Sequence, residues 1–263
     1  MYDVVNIGDA MALAAIVIAV LMSATWLVSL ALKNASIVDL VWGAGFVVVG
    51  WSVFVAVAGH SAVGKVLLIG VTLWGVRLAG YLTWRNHGKG EDYRYVAMRR
   101  RWGSRFPIVS LFTVFFLQGT IMWVVSLPLQ IGIADTDASL GALAFLGLAS
   151  WLLGITFEAV GDAQLARFKA NPVNAGKVMN RGLWKYSRHP NYFGDACVWW
   201  GLALIACSGR AGAWSLIGAA VMTLFLRRIS GVTLLEKSLV KRREGYDDYI
   251  RTTSPFVPRP PKR

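Results

Sequence analysis

Apolar residues in this chain come in long runs, not in the short alternations of a soluble fold. Seven stretches are nearly uninterrupted: residues 9–32, 37–59, 62–84, 108–132, 139–160, 190–208 and 211–229. Each is close to the 20 or so apolar residues that a helix needs to cross the hydrocarbon core. Polar residues, Pro and Gly gather between them, as in "WRNHGKGED" and "CSGRAGAW", where turns are expected. The pattern predicts an all-α integral membrane protein of about seven transmembrane helices, the last two tightly joined. The spans and their connections use up the 263 residues, so 1–263 reads as a single membrane domain.

Composition agrees with this. The chain is 56% hydrophobic and only 16% charged, against about a quarter charged in soluble domains. The opening "MYDVVNIGDA" is acidic, whereas a cleaved leader wants a basic flank. Cys197 and Cys207 are ten residues apart in one expected helix, so about 15 Å separates them and no disulfide joins them. No metal-ligand spacing is present. The net charge of +13 raises nucleic acid as a partner, but the placement of the charges excludes it. Of 27 Lys and Arg, 24 fall on alternate connections: Lys33, seven from Arg85 to Arg105, six from Arg167 to Arg188 and ten from Arg227 to Arg263. The positive-inside rule then sets the N-terminus outside and the C-terminus in the cytoplasm. A multi-pass protein of a bacterial inner membrane is expected. The basic loops alone need nothing more than orientation and attraction to anionic lipid.

Particular residues ask for more. In "EAVGDAQLARFK", Glu158 and Asp162 are one helical turn apart, followed by Arg167 and Lys169. This is either a helix leaving the membrane with its dipole complemented or a built site, since an intramembrane carboxylate is costly. Lys177 follows Gly176, where backbone can approach a phosphate. In "KYSRHPNYFGDACVWWG", Arg188 and His189 precede Pro190, which suits a first helical turn. Asn191, Tyr192 and Asp195 follow, with Asn191 and Asp195 on one face. Arg188 offers a bidentate phosphate donor, and Asn191 offers both donor and acceptor to a carboxamide. The alternative is an aromatic interfacial anchor. Arg77 and Tyr81 share a face of the third span; Arg77 lies deep enough to need an ion pair or a ligand phosphate. Ser36 is placed to cap the second span, and Asp39 one turn later is either a dipole-favoured carboxylate or a catalytic acid. Gln118 is a further polar group in mid-span. The tail from residue 234 reads as an amphipathic surface helix and a Pro-rich end, placed to act as a lid.

Three stretches, "EAVGDAQLARFK", "GLWKYSRHPNYFGD" and "EGYDDYIRTTSPFVP", resemble the C-terminal domain of the steroid 5α-reductase superfamily, in its bacterial branch. The resemblance reaches back to "VRLAGYLTWRNHGKGED" and covers about 70–258. It implies a helical bundle holding NADPH, with Tyr81, Asp162, Lys169, Lys177, Arg188, His189, Asn191, Tyr192 and Asp195 carried over as cofactor contacts; Arg77 and Arg167 are added from their positions. Isoprenylcysteine carboxyl methyltransferases, which use S-adenosylmethionine, and sterol reductases carry a similar Arg-His-Pro-x-Tyr. The early Gln-Glu pair of steroid 5α-reductases is absent, with Asp39 the nearest substitute, and Trp74 stands where those enzymes place a proton-donating tyrosine. The expected activity is NADPH-dependent reduction of an activated C=C bond in a lipophilic enone, with a protonated Asp39 polarising the oxygen and Tyr81 and Gln118 as further candidates. The alternatives are an S-adenosylmethionine-dependent methyltransferase, for which the cations have no phosphate to meet, and a non-catalytic lipid-binding protein. Oligomeric state is open.

Overall fold

A computed structural model of the chain describes residues 6–229, 231–232, 236, 239–240 and 243–262. Among them the fold is all-helical, with no strand. Six helices are long and apolar enough to cross a membrane: Ile7–Ala31, Ile37–Ala56, Ala62–Asn86, Tyr93–Val125, Ala142–Ala170 and Gly212–Ile229. The expected span 190–208 forms a helix Pro190–Ala206 of 17 residues and is not among the six. The expected span 108–132 is also redrawn. Its helix starts earlier, at Tyr93, and ends at Val125; Ser126 turns the chain, and Pro128 opens a separate short helix. The chain divides into two compact units, Met1–Phe145 with Leu202–Gly218, and Leu146–Gly201 with Ala219–Arg263.

In the first unit, α1 (Ile7–Ala31), α2 (Ile37–Ala56) and α3 (Ala62–Asn86) surround the short helix Leu127–Ala134, all eight residues of which are buried. The helices carry bulky apolar residues on their exposed faces, and α1 buries mostly small or polar ones. On α1 the buried positions are Ala10, Ala14, Ile18, Met22, Thr25 and Ser29, while Ile16, Val20 and Leu27 are exposed. That is the arrangement lipid favours: bulky apolar side chains face the solvent, and small ones let backbones approach. At the α2–α3 crossing a Cβ on Gly43 would meet Gly75 O at 2.7 Å, so no larger residue fits there. Trp74, fully buried against Phe46 with ring centroids 5.7 Å apart, is core. Asn6 and Asp9 form a capping box at the start of α1. Ser36 does not cap α2. Its hydroxyl instead accepts from the Asp92 backbone N–H at 2.6 Å, which ties the α1–α2 turn to the loop before the helix that starts at Tyr93.

In the second unit, α4 (Ala142–Ala170) and α5 (Pro190–Ala206) pack along a seam of glycines. Gly147, Gly154 and Gly161 recur every seventh residue, as do Gly194 and Gly201. A Cβ on Gly194 would meet Gly154 O and Glu158 N, each at 2.6 Å, and one on Gly201 would meet Gly147 O at 2.6 Å. The backbones are in contact, and Gly161 brings the start of α5 to the Asp162 turn.

Candidate functional site

Each unit carries a polar cluster. In the first unit Asp39 accepts from Arg94 Nη2 and from the Tyr95 hydroxyl, both at 3.2 Å. Gln118 Nε2 donates to the same hydroxyl at 3.4 Å. Two residues chosen from sequence, Asp39 and Gln118, are thus bridged by a third, buried Tyr95, which the sequence hid inside a basic run. Both oxygens of Asp39 are engaged, one by the Arg94 guanidinium and one by the Tyr95 hydroxyl. Tyr81 and Arg77, both half-buried on α3, lie elsewhere on the helix; Arg85 stacks over the Tyr81 ring with its guanidinium carbon 5.7 Å from the centroid.

A clasp of acids and arginines holds this region. Glu91 accepts from the Ala35 backbone at 2.7 Å and from Arg99 Nε and Nη2 at 3.1 and 2.9 Å. Burial pushes the Glu91 carboxyl up, but these bonds outweigh it and hold it below the usual carboxylate range.

In the second unit, Asn191 Nδ2 donates to Asp162 Oδ1 at 3.1 Å, across the glycine seam. Asp162 and Glu158 are buried, and Asp195 lies one turn beyond Asn191. The His189 ring stacks on Tyr192, with centroids 5.4 Å apart. Arg167, Lys169 and Lys177 are exposed, and the Lys177 carbonyl accepts from Arg243 at 2.6 Å.

Arg188 differs from expectation. It is buried, and its fork closes on Glu236 at 2.7 and 3.0 Å, while Nη1 donates to the carbonyls of Ile250 and Thr253. Its donors face the chain itself, so the expected phosphate ligand is an internal counter-ion. His189 Nε2 lies 3.0 Å from the same Glu236 oxygen. Burial holds the His189 ring below the usual imidazole range despite that carboxylate. Burial alone would raise Glu236, but the His189 and Arg188 bonds win and keep it ionised.

The tail is not a free surface helix. The helix Tyr246–Thr252 buries Tyr246 and Tyr249. The Tyr249 hydroxyl donates to Trp184 O, Arg188 N donates to Ser254 O at 2.9 Å, and Ser187 Oγ donates to Phe256 O at 2.7 Å. Of the expected amphipathic segment, 234–235, 237–238 and 241–242 lie outside the described residues. Beside the Arg188–Glu236 pair is a cavity of about 460 Å³, lined by Arg227, Arg228 and Glu236 with Val232, Val240, Ile250, Pro255 and Phe256. Arg227 stacks on Phe256, 5.5 Å from its centroid. With Glu236 neutralised by Arg188, the wall of this cavity is positive. Sequence reasoning missed Arg227, Arg228 and Glu236; adjacent arginines at the end of the last span were the available signal.

A family model described as "Protein of unknown function (DUF1295)" matches residues 25–253, a range that holds both clusters. The chain is similar to Uncharacterized protein C594.04c of Schizosaccharomyces pombe, at 25% identity over 201 residues, 66% of this chain and 58% of the relative. The chain therefore spans less than two thirds of the length of that relative. No solved structure matches it.

Proposed function

We propose, from the premise that the chain belongs to the DUF1295 family, that it is an NADPH-dependent membrane reductase of an activated C=C bond in a lipophilic substrate. The observation that carries this reading is the positive cavity of the second unit. Arg227 and Arg228 stand against apolar walls, and the one carboxylate among the described lining residues is already paired with Arg188. About 460 Å³ is within the range of small-molecule sites and suits the phosphate-bearing half of a dinucleotide. The lining fits such a group, since Arg227 and Arg228 would meet phosphate oxygens; Asn191, held by Asp162, is the proposed carboxamide partner, and exposed Lys169 and Lys177 are proposed as further cations. NADPH, when bound, supplies a hydride to the β-carbon of the substrate. The chain's own part is to polarise the substrate carbonyl and supply a proton. Within the first unit the Tyr95 hydroxyl, held by Asp39 and Gln118, is the group proposed as the proton donor. An apolar groove of about 300 Å³, lined by Ala15, Ile18, Met22, Gly119 and Trp123 among others, supports a lipophilic substrate. The resemblance to steroid 5α-reductases supports the cofactor more than a steroid.

The reading carries a topology with it. Pro190–Ala206 brings the spans to seven as the sixth in chain order, the N-terminus is outside, and the basic connections with the C-terminus face the cytoplasm of a bacterial inner membrane. The test is binding. Tryptophan fluorescence of the purified protein should respond to NADPH more strongly than to NADH, and R227Q/R228Q should weaken the response at least tenfold. A response to S-adenosylmethionine alone would establish the methyltransferase reading instead. Silence to all three would overturn both.

A further inference from the structure

The helix Tyr93–Val125 is too long for the bilayer. Its 33 residues would run about 50 Å as a regular helix, against about 30 Å of hydrocarbon. The excess is visible as a break. Tyr93–Trp102 is a separate ten-residue helix, and Gly103 then takes φ +50°, which L side chains rarely adopt. Phe106, just past the break, is buried. In a bilayer this excess would set the segment 93–105 at the headgroup level, where its charges would meet the membrane surface.

Those charges are sorted. The carboxylates of this corner are all engaged: Glu91 by Arg99, Asp92 and Asp39 by Arg94. Arg100, Arg101 and Arg105 are exposed, and none has a carboxylate partner among the described residues. Exposed aromatics accompany them in the same segment. Tyr93 is 58% exposed and Trp102 39%, and the Arg101 guanidinium stacks 5.6 Å from the Trp102 ring. Diffuse orientation charge needs no such pairing. A guanidinium backed by an interfacial tryptophan presents its fork to a phosphate while the ring sits among acyl chains. We infer that Arg100, Arg101 and Arg105, with Tyr93 and Trp102, form a binding site for the headgroup of an anionic phospholipid. The site is independent of the reductase reading.

The test uses the full-length protein in nanodiscs of equal phosphatidylglycerol and phosphatidylcholine, followed by detergent extraction and native mass spectrometry of the lipids retained. The wild type is expected to retain phosphatidylglycerol preferentially. R100Q/R101Q/R105Q should lower that preference by at least about fivefold, the effect of a single charge at a membrane surface. R100Q and R101Q alone should each move it in the same direction, which keeps the test sound if the triple variant folds poorly. K65Q/R181Q/K185Q, which removes the same net charge elsewhere, should leave it unchanged. Excess soluble glycerol phosphate should not compete. The inference is overturned by an unchanged preference, by an equal loss in the control variant, or by competition from the soluble phosphate.

Discussion

The glycine seam of the second unit makes a sharp prediction. Consider Gly194→Ala. The added Cβ would sit 2.6 Å from both Gly154 O and Glu158 N and 3.1 Å from Glu158 Cα, where ordinary contact starts near 3.4 Å. All three neighbours are backbone atoms, so no side chain can swing aside; the helices must part by about 0.8 Å. Overpacking of this kind costs about 1–3 kcal/mol. Alanine returns up to about 1 kcal/mol through its helix propensity. The net loss, up to about 2 kcal/mol when that return is complete, lowers an apparent melting temperature by up to several degrees, at about 2–4 °C per kcal/mol for chains of this size. The same shift would stretch the Asn191–Asp162 bond from 3.1 Å beyond hydrogen-bonding range, so NADPH affinity should fall along with stability. Gly80→Ala is the matched control, since nothing lies within 4 Å of its Cβ; it should melt a degree or more higher. The assay is thermal unfolding in detergent followed by fluorescence-detected size exclusion. If Gly194→Ala melts no lower than Gly80→Ala, the backbones are not in contact and the reasoning fails.

Arg188→Gln should cost about 3–5 kcal/mol, because it leaves buried Glu236 facing His189 without its main counter-ion; Arg188→Lys should rescue only part, since one ammonium cannot reproduce the fork and both carbonyl bonds. Expression yield and melting temperature read both. Tyr95→Phe should cut turnover at least about a hundredfold, within the range of a lost general acid, while leaving NADPH-induced quenching unchanged; equal loss of both would make Tyr95 structural. Acid should loosen the tail in two stages. The folded-state pKa of His189 lies below its free value of 6.5, so the unfolded chain takes up the proton first and stability falls as pH drops below about 6.5, by up to about 1.4 kcal/mol per pH unit. Glu236 is likewise held below 4.5 and adds its loss as pH falls through that value. Limited proteolysis near residue 245 should therefore quicken below pH 6.5, and His189→Phe should flatten the upper stage.

What the sequence revealed followed from how local each signal was. The spans showed because lipid demands long apolar runs, and the Ser126–Pro128 break went unread because both of its flanks are apolar. Asp39 and Gln118 were noticeable as polar residues in apolar surroundings. Their bridge Tyr95 was not, because "DYRYVAMRRRW" reads as an ordinary basic loop until its helix folds back on α2. Arg188 was found as an important residue but given the wrong partner, since Glu236 is 48 residues away and nothing local links them. The seven-residue glycine spacing was legible in principle: three glycines in one span and two in another announce a close crossing.

The position of Arg188 also bears on how the protein is made. Synthesis runs from the N-terminus and units fold in that order, yet the groups that satisfy this guanidinium, on residues 236, 250 and 253, emerge 48 to 65 positions later. A nascent chain with residues 142–206 already inserted holds a cation at the bilayer boundary with no anion to meet it. Closure of this unit should therefore follow insertion, and a message truncated before codon 236 should yield a product that is threaded into the membrane but never closed.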